Sequence, residues 1–275
     1  MGVTRRIVLA FALLGAFGAQ EASARFLAPH RAVYDLALER ASDKSGITNI
    51  TGRMVYEFEG TPCEGYTTNF RNVMRVTTDE TSQLNDQQTS TFEDSAGKSF
   101  SFVTKSFVDR QLDSEVKGTA THGPEGVTVK LVKPQKADFK LQRAWFPTQH
   151  LVELLGKAER GEKFYETRLF DASDKADRVM TTTVVVGKPR EARTDDPEYA
   201  ALGSIKNDRY WPVTIAYFDT KDEKKSEMLP IYSISLKLQD NGITRDLVMD
   251  YGDFAVKGKL VNLAVFDPHK DKCAQ

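Results

Sequence analysis

Cysteine is scarce in this chain of 275 residues: only Cys63 and Cys273 occur. No C-x-x-C exists, which argues against a thiol oxidoreductase. The four histidines, His30, His122, His150 and His269, never fall at H-x-x-x-H or H-E-x-x-H spacing, so no histidine pair for a metal is expected. G-x-S-x-G is also missing, which removes the usual esterase elbow. Thirty-eight Lys and Arg nearly balance 39 Asp and Glu, and no five like charges run together. Charge therefore points neither to a nucleic acid nor to a strongly anionic surface. Beyond the first 24 residues no apolar run approaches the ~18 residues of a membrane span. Repeats, low-complexity tracts and composition breaks are absent too. One domain over residues 25–275 is the expectation, about 250 residues and enough for a large core.

The N-terminus carries a clear signal. Arg5 and Arg6 precede the apolar run Ile7–Phe17, and Ala22-Ser23-Ala24 lies just before Arg25. Charge, apolar run and small-residue site in that order predict a secretory signal peptide over residues 1–24, too short to cross a ~30 Å hydrocarbon core. No cysteine stands near the cleavage site, so lipid attachment there is not expected. A bacterial periplasm is the predicted location. In such an oxidising compartment an isolated cysteine pair reads as a disulfide, with two reactive or intermolecular thiols as the alternative. A bridge closing so long a loop is worth about 5 kcal/mol at most by chain entropy.

Period-2 alternation dominates the rest. Tyr232, Ile234, Leu236 and Leu238 alternate with Ser233, Ser235, Lys237 and Gln239; Met54, Tyr56 and Phe58 alternate with charged neighbours; Tyr34, Leu36, Leu38 and Val127, Val129, Leu131 repeat the pattern. These are strands with one apolar and one wet face. Threonine-rich or aromatic stretches at 66–78, 99–107, 180–186 and 213–218 add β-propensity. Turn signals at Glu59-Gly60-Thr61-Pro62, Ser95-Ala96-Gly97-Lys98, Gly123-Pro124-Glu125-Gly126 and Asp240-Asn241-Gly242 separate them. Roughly 12–14 strands, mostly antiparallel, are predicted.

One helix interrupts the strands. Thr148 is a candidate cap, Leu151, Leu154, Leu155 and Ala158 share one face, and Gly161 stops it. Asp196-Pro197 opens a second, short helical turn ending at Gly203. A single three-turn helix cannot cover a dozen one-sided strands, so the sheet must cover itself. It curls into a barrel or half-barrel around the helix, or folds into a sandwich. A curl of more than about eight strands is wider than side chains fill, which leaves an apolar cavity.

The strings Pro29-His30-Arg31-Ala32-Val33-Tyr34-Asp35-Leu36, early Cys63, Phe146-Pro147-Thr148-Gln149-His150, Phe170-Asp171-Ala172-Ser173-Asp174, Asp250-Tyr251-Gly252-Asp253-Phe254 and terminal Cys273 occur in this order. In that arrangement the mature chain resembles the EipB-like family of periplasmic cell-envelope integrity proteins of alphaproteobacteria. The resemblance implies a mainly β fold: one large antiparallel sheet curled into a spiral or incompletely closed barrel around a central helix. It implies a Cys63–Cys273 bridge, an envelope role and no catalytic residues. The implied fold is similar to the LolA, LolB and RseB group, which hold acyl chains or peptides in a half-barrel.

Candidate chemistry is sparse. His150 sits in the helix's first turn, either as a structural hydrogen-bonding group or as a ligand contact. Trp145-Phe146 and Tyr210-Trp211 are core anchors or rim residues of a cavity. Asp171, Asp174 and Asp177 lack the spacing of a calcium loop and read as a solvated turn. Ser95–Ser99 reads as a hairpin turn, not a phosphate loop or S-x-x-K site. The expectation is a non-enzymatic protein without cofactor or metal. His150, Leu151, Leu154, Leu155, Trp145 and Trp211 would contact an apolar ligand, namely an acyl chain, a lipoprotein or a peptide. A scaffold with a filled core that recruits envelope proteins is the alternative, and an envelope hydrolase with an unrecognised site a third.

Overall fold

The computed structural model describes residues 27–173, 175–206, 208–219 and 229–267. The predicted signal peptide, Asp174, His269 and Cys273 lie outside the described residues. Fifteen strands form one sheet: β1 (His30–Ala41), β2 (Ile47–Thr61), β3 (Gly65–Thr78), β4 (Ser82–Glu93), β5 (Ser99–Val108), β6 (Gln111–Gly123), β7 (Gly126–Lys133), β8 (Ala137–Leu141), β9 (Phe164–Leu169), β10 (Met180–Val186), β11 (Arg190–Glu191), β12 (Arg209–Asp219), β13 (Tyr232–Gln239), β14 (Thr244–Asp250) and β15 (Phe254–Val265). Helix α1 (Pro147–Glu159) lies between β8 and β9 in the chain.

The spatial order is β8-β7-β6-β5-β4-β3-β2-β1-β15-β14-β13-β12-β10-β9, with β11 beside β12. Two antiparallel meanders, β1–β8 and β9–β15, are thus zipped together by β1 against β15. The free edges are β8 and β9, the two strands that flank α1 in sequence. They do not pair, so the sheet is an unclosed curl. One parallel bridge, Trp145 with Leu169, links the segment after β8 to the edge strand β9. In it Trp145 N–H donates to Arg168 O at 2.8 Å and Phe170 N–H to Trp145 O at 2.9 Å.

The expected strands and turns are found where alternation or turn chemistry was visible, and one further strand beyond the predicted range. Among the strands that the alternation did not announce is β4. Its sequence SQLNDQQTSTFE is polar on both faces and offers no apolar alternation to read.

The curl is held by three apolar clusters. In the first, Leu154, Leu155 and Ala158 of α1 pack with Phe58 and Tyr66 on one side and Val184, Trp211, Val213, Ile215 and Tyr217 on the other. The helix thereby joins β2–β3 to β10–β12 across the concave side. The second fills the seam: Phe146, Phe170, Ala172, Ala176 and Val179 cover Phe100, Phe102, Val127 and Val129. In the third, Leu202 and Ile205 pack with Ala32, Tyr34, Ile243 and Leu260. Burying a large aliphatic or aromatic side chain is worth about 1.5–3 kcal/mol, so these contacts, more than the short helix itself, fix the curvature.

Two local expectations need correction. Thr148 does not cap α1. The N-cap is Phe146, without a side-chain bond, and Pro147 takes the first turn. The second turn does not end at Gly203; a 3-10 segment, Tyr199–Ile205, runs through that glycine at φ 55. The helix does stop at the expected place, with Gly161 at φ 77.

Candidate functional site

Register assigns each strand residue to the concave or convex side. Met54, Tyr56 and Phe58 face inward, and their partners on β3 are Asn72, Phe70 and Thr68. Across β4 the same face carries Thr89, Gln87 and Asn85, paired with Phe70, Asn72 and Met74. On β5 it carries Thr104 and Ser106, opposite Thr89 and Gln87. The Thr89 and Thr104 hydroxyls are 3.0 Å apart. On β4 this face is therefore a strip of neutral amides and hydroxyls, with Phe70 and Met74 beside it on β3.

The wall on the other side of β1 is apolar. Val213, Ile215 and Tyr217 of β12 pair with Leu236, Ile234 and Tyr232 of β13, and Ile234 pairs with Met249 of β14. Tyr232, Ile234, Leu236 and Met249 are half-buried, as are Phe70, Asn72, Met74, Asn85, Thr89, Thr104 and Ser106, while Gln87 is exposed. The apolar ones pack against the core: Tyr232, Ile234 and Leu236 on the first cluster, and Phe70, Met74 and Met249 on the third.

In a meander the turns alternate between two ends, and α1 lies over the end that holds the β4–β5 and β13–β14 turns. A Cβ on Gly97 would stand 2.5 Å from the Gln149 side chain, and one on Gly242 3.5 Å from Leu151. At the opposite end a Cβ on Gly46 or Gly252 would meet nothing within 4 Å. An aromatic run lies towards that opposite end, with ring centroids 4.3 Å apart for Tyr217–Tyr232, 6.0 Å for Tyr232–Tyr251 and 4.9 Å for Tyr251–Phe254.

The closed end depends on a residue the sequence did not flag. Glu93, 1% exposed at the end of β4, accepts Thr148 N–H at 2.8 Å on Oε2 and Gln149 N–H at 3.1 Å on Oε1. It satisfies two of the orphan donors of α1 in place of a local cap. Burial pushes its carboxyl up to about 7 against the opposing pull of those bonds. His150 follows one position later, 5% exposed, with burial holding its pKa down at about 4. Its Nε2 lies 3.4 Å from Thr182 Oγ1, and Thr182 is wholly buried, so this pair cannot meet a substrate.

The other sequence candidates divide. Leu154 and Leu155 lie in the core and Leu151 is half-buried at the helix start. Trp211 is 2% exposed in the core, whereas Trp145 is 40% exposed beside a cleft of about 410 Å³ formed with His122, Arg143 and Arg168. His122 Nε2 lies 2.8 Å from Ala144 O and its ring stacks on Phe146, while His30 Nδ1 lies 2.7 Å from Ala28 O. Asp171 Oδ1 accepts Ser173 N–H at 2.9 Å within its own turn. Cys63 stands in the exposed turn between β2 and β3, where Thr61 Oγ1 accepts its N–H at 3.4 Å. Among the described residues no group of acidic, histidine or cysteine side chains could hold a metal ion, and no helix is long and apolar enough to cross a membrane. Sequence reasoning missed Asn85, Gln87 and Thr89, although Gln83, Asn85, Gln87, Thr89 and Thr91 do recur with period two.

Comparison with known proteins agrees with the architecture. The EipB-like family model matches residues 21–267. The cell envelope integrity protein EipB of Brucella abortus (strain 2308) is 57% identical over 255 residues, covering 92% of this chain and 90% of the relative. A crystal structure of a β-barrel-like protein from Brucella abortus, described as a domain of unknown function, has a TM-score of 0.83 at 56% identity. It covers 88% of this chain and 99% of that one.

Proposed function

The chain belongs to the EipB-like family, and on that premise we propose that it supports cell-envelope integrity from the periplasm, without bond chemistry, by holding part of another envelope molecule on the concave side of its sheet. The observation that carries this reading is the half-buried concave face of an unclosed sheet, with α1 laid over one end. Apolar burial on Tyr232, Ile234, Leu236 and Met249 supplies the affinity, at about 0.8 kcal/mol per buried CH₂. The ligand is an elongated one with apolar parts, such as an acyl chain, a lipoprotein or a peptide. The Thr182–His150 hydroxyl–imidazole contact is buried away from any substrate, which favours retention over hydrolysis.

The same reading includes cleavage of residues 1–24 on export and a Cys63–Cys273 bridge. That bridge would tie the C-terminal end of the chain to the β2–β3 turn, beside the closed end.

The test is titration of the mature protein with an environment-sensitive apolar dye, anilinonaphthalene sulfonate. Saturable binding that is lost in Ile234→Trp, a substitution that fills the concave side, is expected. Non-saturable binding, or binding unchanged in Ile234→Trp, would refute enclosure there.

A further inference from the structure

The cleft of about 410 Å³ beside Trp145 lies where the segment after β8 meets the free edge of β9. It shares no residue with the apolar face of Tyr232, Ile234, Leu236 and Met249, so what it holds is a separate question from ligand holding there. We propose that this cleft is a saccharide site, in which one ring of a glycan stacks on Trp145 and its hydroxyl groups bond to Arg143 and Glu166.

Trp145 is an aromatic platform, not a core residue. Its main chain is fixed on both sides, N–H donating to Arg168 O at 2.8 Å and O accepting Phe170 N–H at 2.9 Å, while the residue stays 40% exposed. Among the described residues no ring or cation stacks on its indole and nothing bonds to its Nε1. The floor of the cleft is fixed too: His122 Nε2 donates to Ala144 O at 2.8 Å, and its ring stacks on Phe146 with centroids 4.3 Å apart. A ligand would therefore have little protein to order on arrival. Arg143 and Glu166 line the same cleft and are exposed, and neither has a hydrogen bond or ion pair among the described residues. One only donates and the other only accepts.

That set selects among ligands. A sugar ring offers a face of C–H groups, which covers an indole, and a rim of hydroxyls, each of which both donates and accepts. An acyl chain would strip water from Arg143 and Glu166 and give nothing back. A small anion meets Glu166, and a small cation meets Arg143 and Arg168. A peptide strand finds little edge to join. Alternate residues of the six-residue β9 face outward, and the Trp145 bridge already takes Arg168 O, which leaves Phe164 and Glu166.

The experiment titrates the mature protein with chitotriose, maltotriose and a peptide alternating valine with threonine, by calorimetry and by intrinsic fluorescence. The inference expects saturable binding of at least one sugar, with a Kd on the order of 1 mM. Emission should shift to the blue as the ring covers Trp145, since Trp211, 2% exposed, is already out of water. Trp145→Ala should weaken the sugar about tenfold and Trp145→Phe less. Arg143→Ala and Glu166→Ala should each weaken it severalfold, and because all three side chains are exposed the urea midpoints should not move. Ile234→Trp, which fills the concave side, should leave sugar affinity unchanged. Absence of sugar binding, sugar binding that survives Trp145→Ala or is lost in Ile234→Trp, or a peptide that binds more tightly than either sugar would overturn the inference. None of these results decides ligand holding, which the dye titration tests by itself.

Discussion

The Glu93 carboxylate accepts the backbone N–H of Thr148 at 2.8 Å, so the last residue of β4 caps a helix that begins more than fifty positions later in the chain. The contact ties the polar wall of the curl to the element that closes one end. Glu93→Ala should destabilise the fold by about 1–3 kcal/mol, the cost of leaving buried helix donors unpaired. Glu93→Gln, which keeps an acceptor and the shape, should lose less. Urea unfolding midpoints of the two variants check both the size and the order.

The pH dependence has two opposed parts. Glu93 is raised from 4.5 to about 7, so the folded state holds its proton more tightly. Its stabilising contribution is complete below about 4.5 and is lost as pH rises towards 7, on the order of 3 kcal/mol. His150 is lowered from 6.5 to about 4, so its contribution is present above about 6.5 and is lost as pH falls through 4. Glu93→Gln should therefore flatten the decline between pH 4.5 and 7, and His150→Gln the decline on the acid side. Unfolding free energies measured from pH 4 to 8 separate the two.

Arg245 is wholly buried, with Nη1 donating to Asp196 Oδ2 at 2.7 Å, and Glu198 beside it accepts the N–H groups of Leu260 and Asp246 at 2.6 and 3.1 Å. Arg245→Met should cost about 3–5 kcal/mol, because it takes the buried cation from Glu198 and leaves Asp196 with Lys237 Nζ, at 2.9 Å, as its remaining cation. Arg245→Met combined with Asp196→Asn should recover part of that loss. A double-mutant cycle by thermal unfolding gives the coupling directly.

Reduction tests the proposed Cys63–Cys273 bridge. The oxidised protein should unfold at a clearly higher temperature than the reduced one, with a difference of up to about 5 kcal/mol. Cys63→Ser should lie with the reduced protein, and reductant should not move it further.

Much of the architecture was legible because alternation is a direct imprint of a half-buried strand. Ile231–Gln239 announced β13, and Asp240-Asn241-Gly242 announced its hairpin. β4 was not legible, since period-2 reading depends on apolar residues and here both faces are polar. The cap of α1 was misassigned to Thr148 because a cap supplied by a distant strand leaves no local trace. Trp145 and Trp211 show the same limit. Both sit in aromatic pairs, but Trp211 ends in the core and Trp145, 40% exposed, where the segment after β8 bridges to the edge strand β9. The assumption of uniformly apolar strand faces led to an apolar cavity. Register puts the polar Asn85, Gln87 and Thr89 of β4 on that same face.

The most direct test of ligand holding on the concave face is photo-crosslinking in living cells. A photo-reactive residue at position 87 or 234, both on the concave face, should capture another envelope molecule, and one at the convex position 105 should not. Equal capture from all three positions, or none from 87 and 234, would contradict the account.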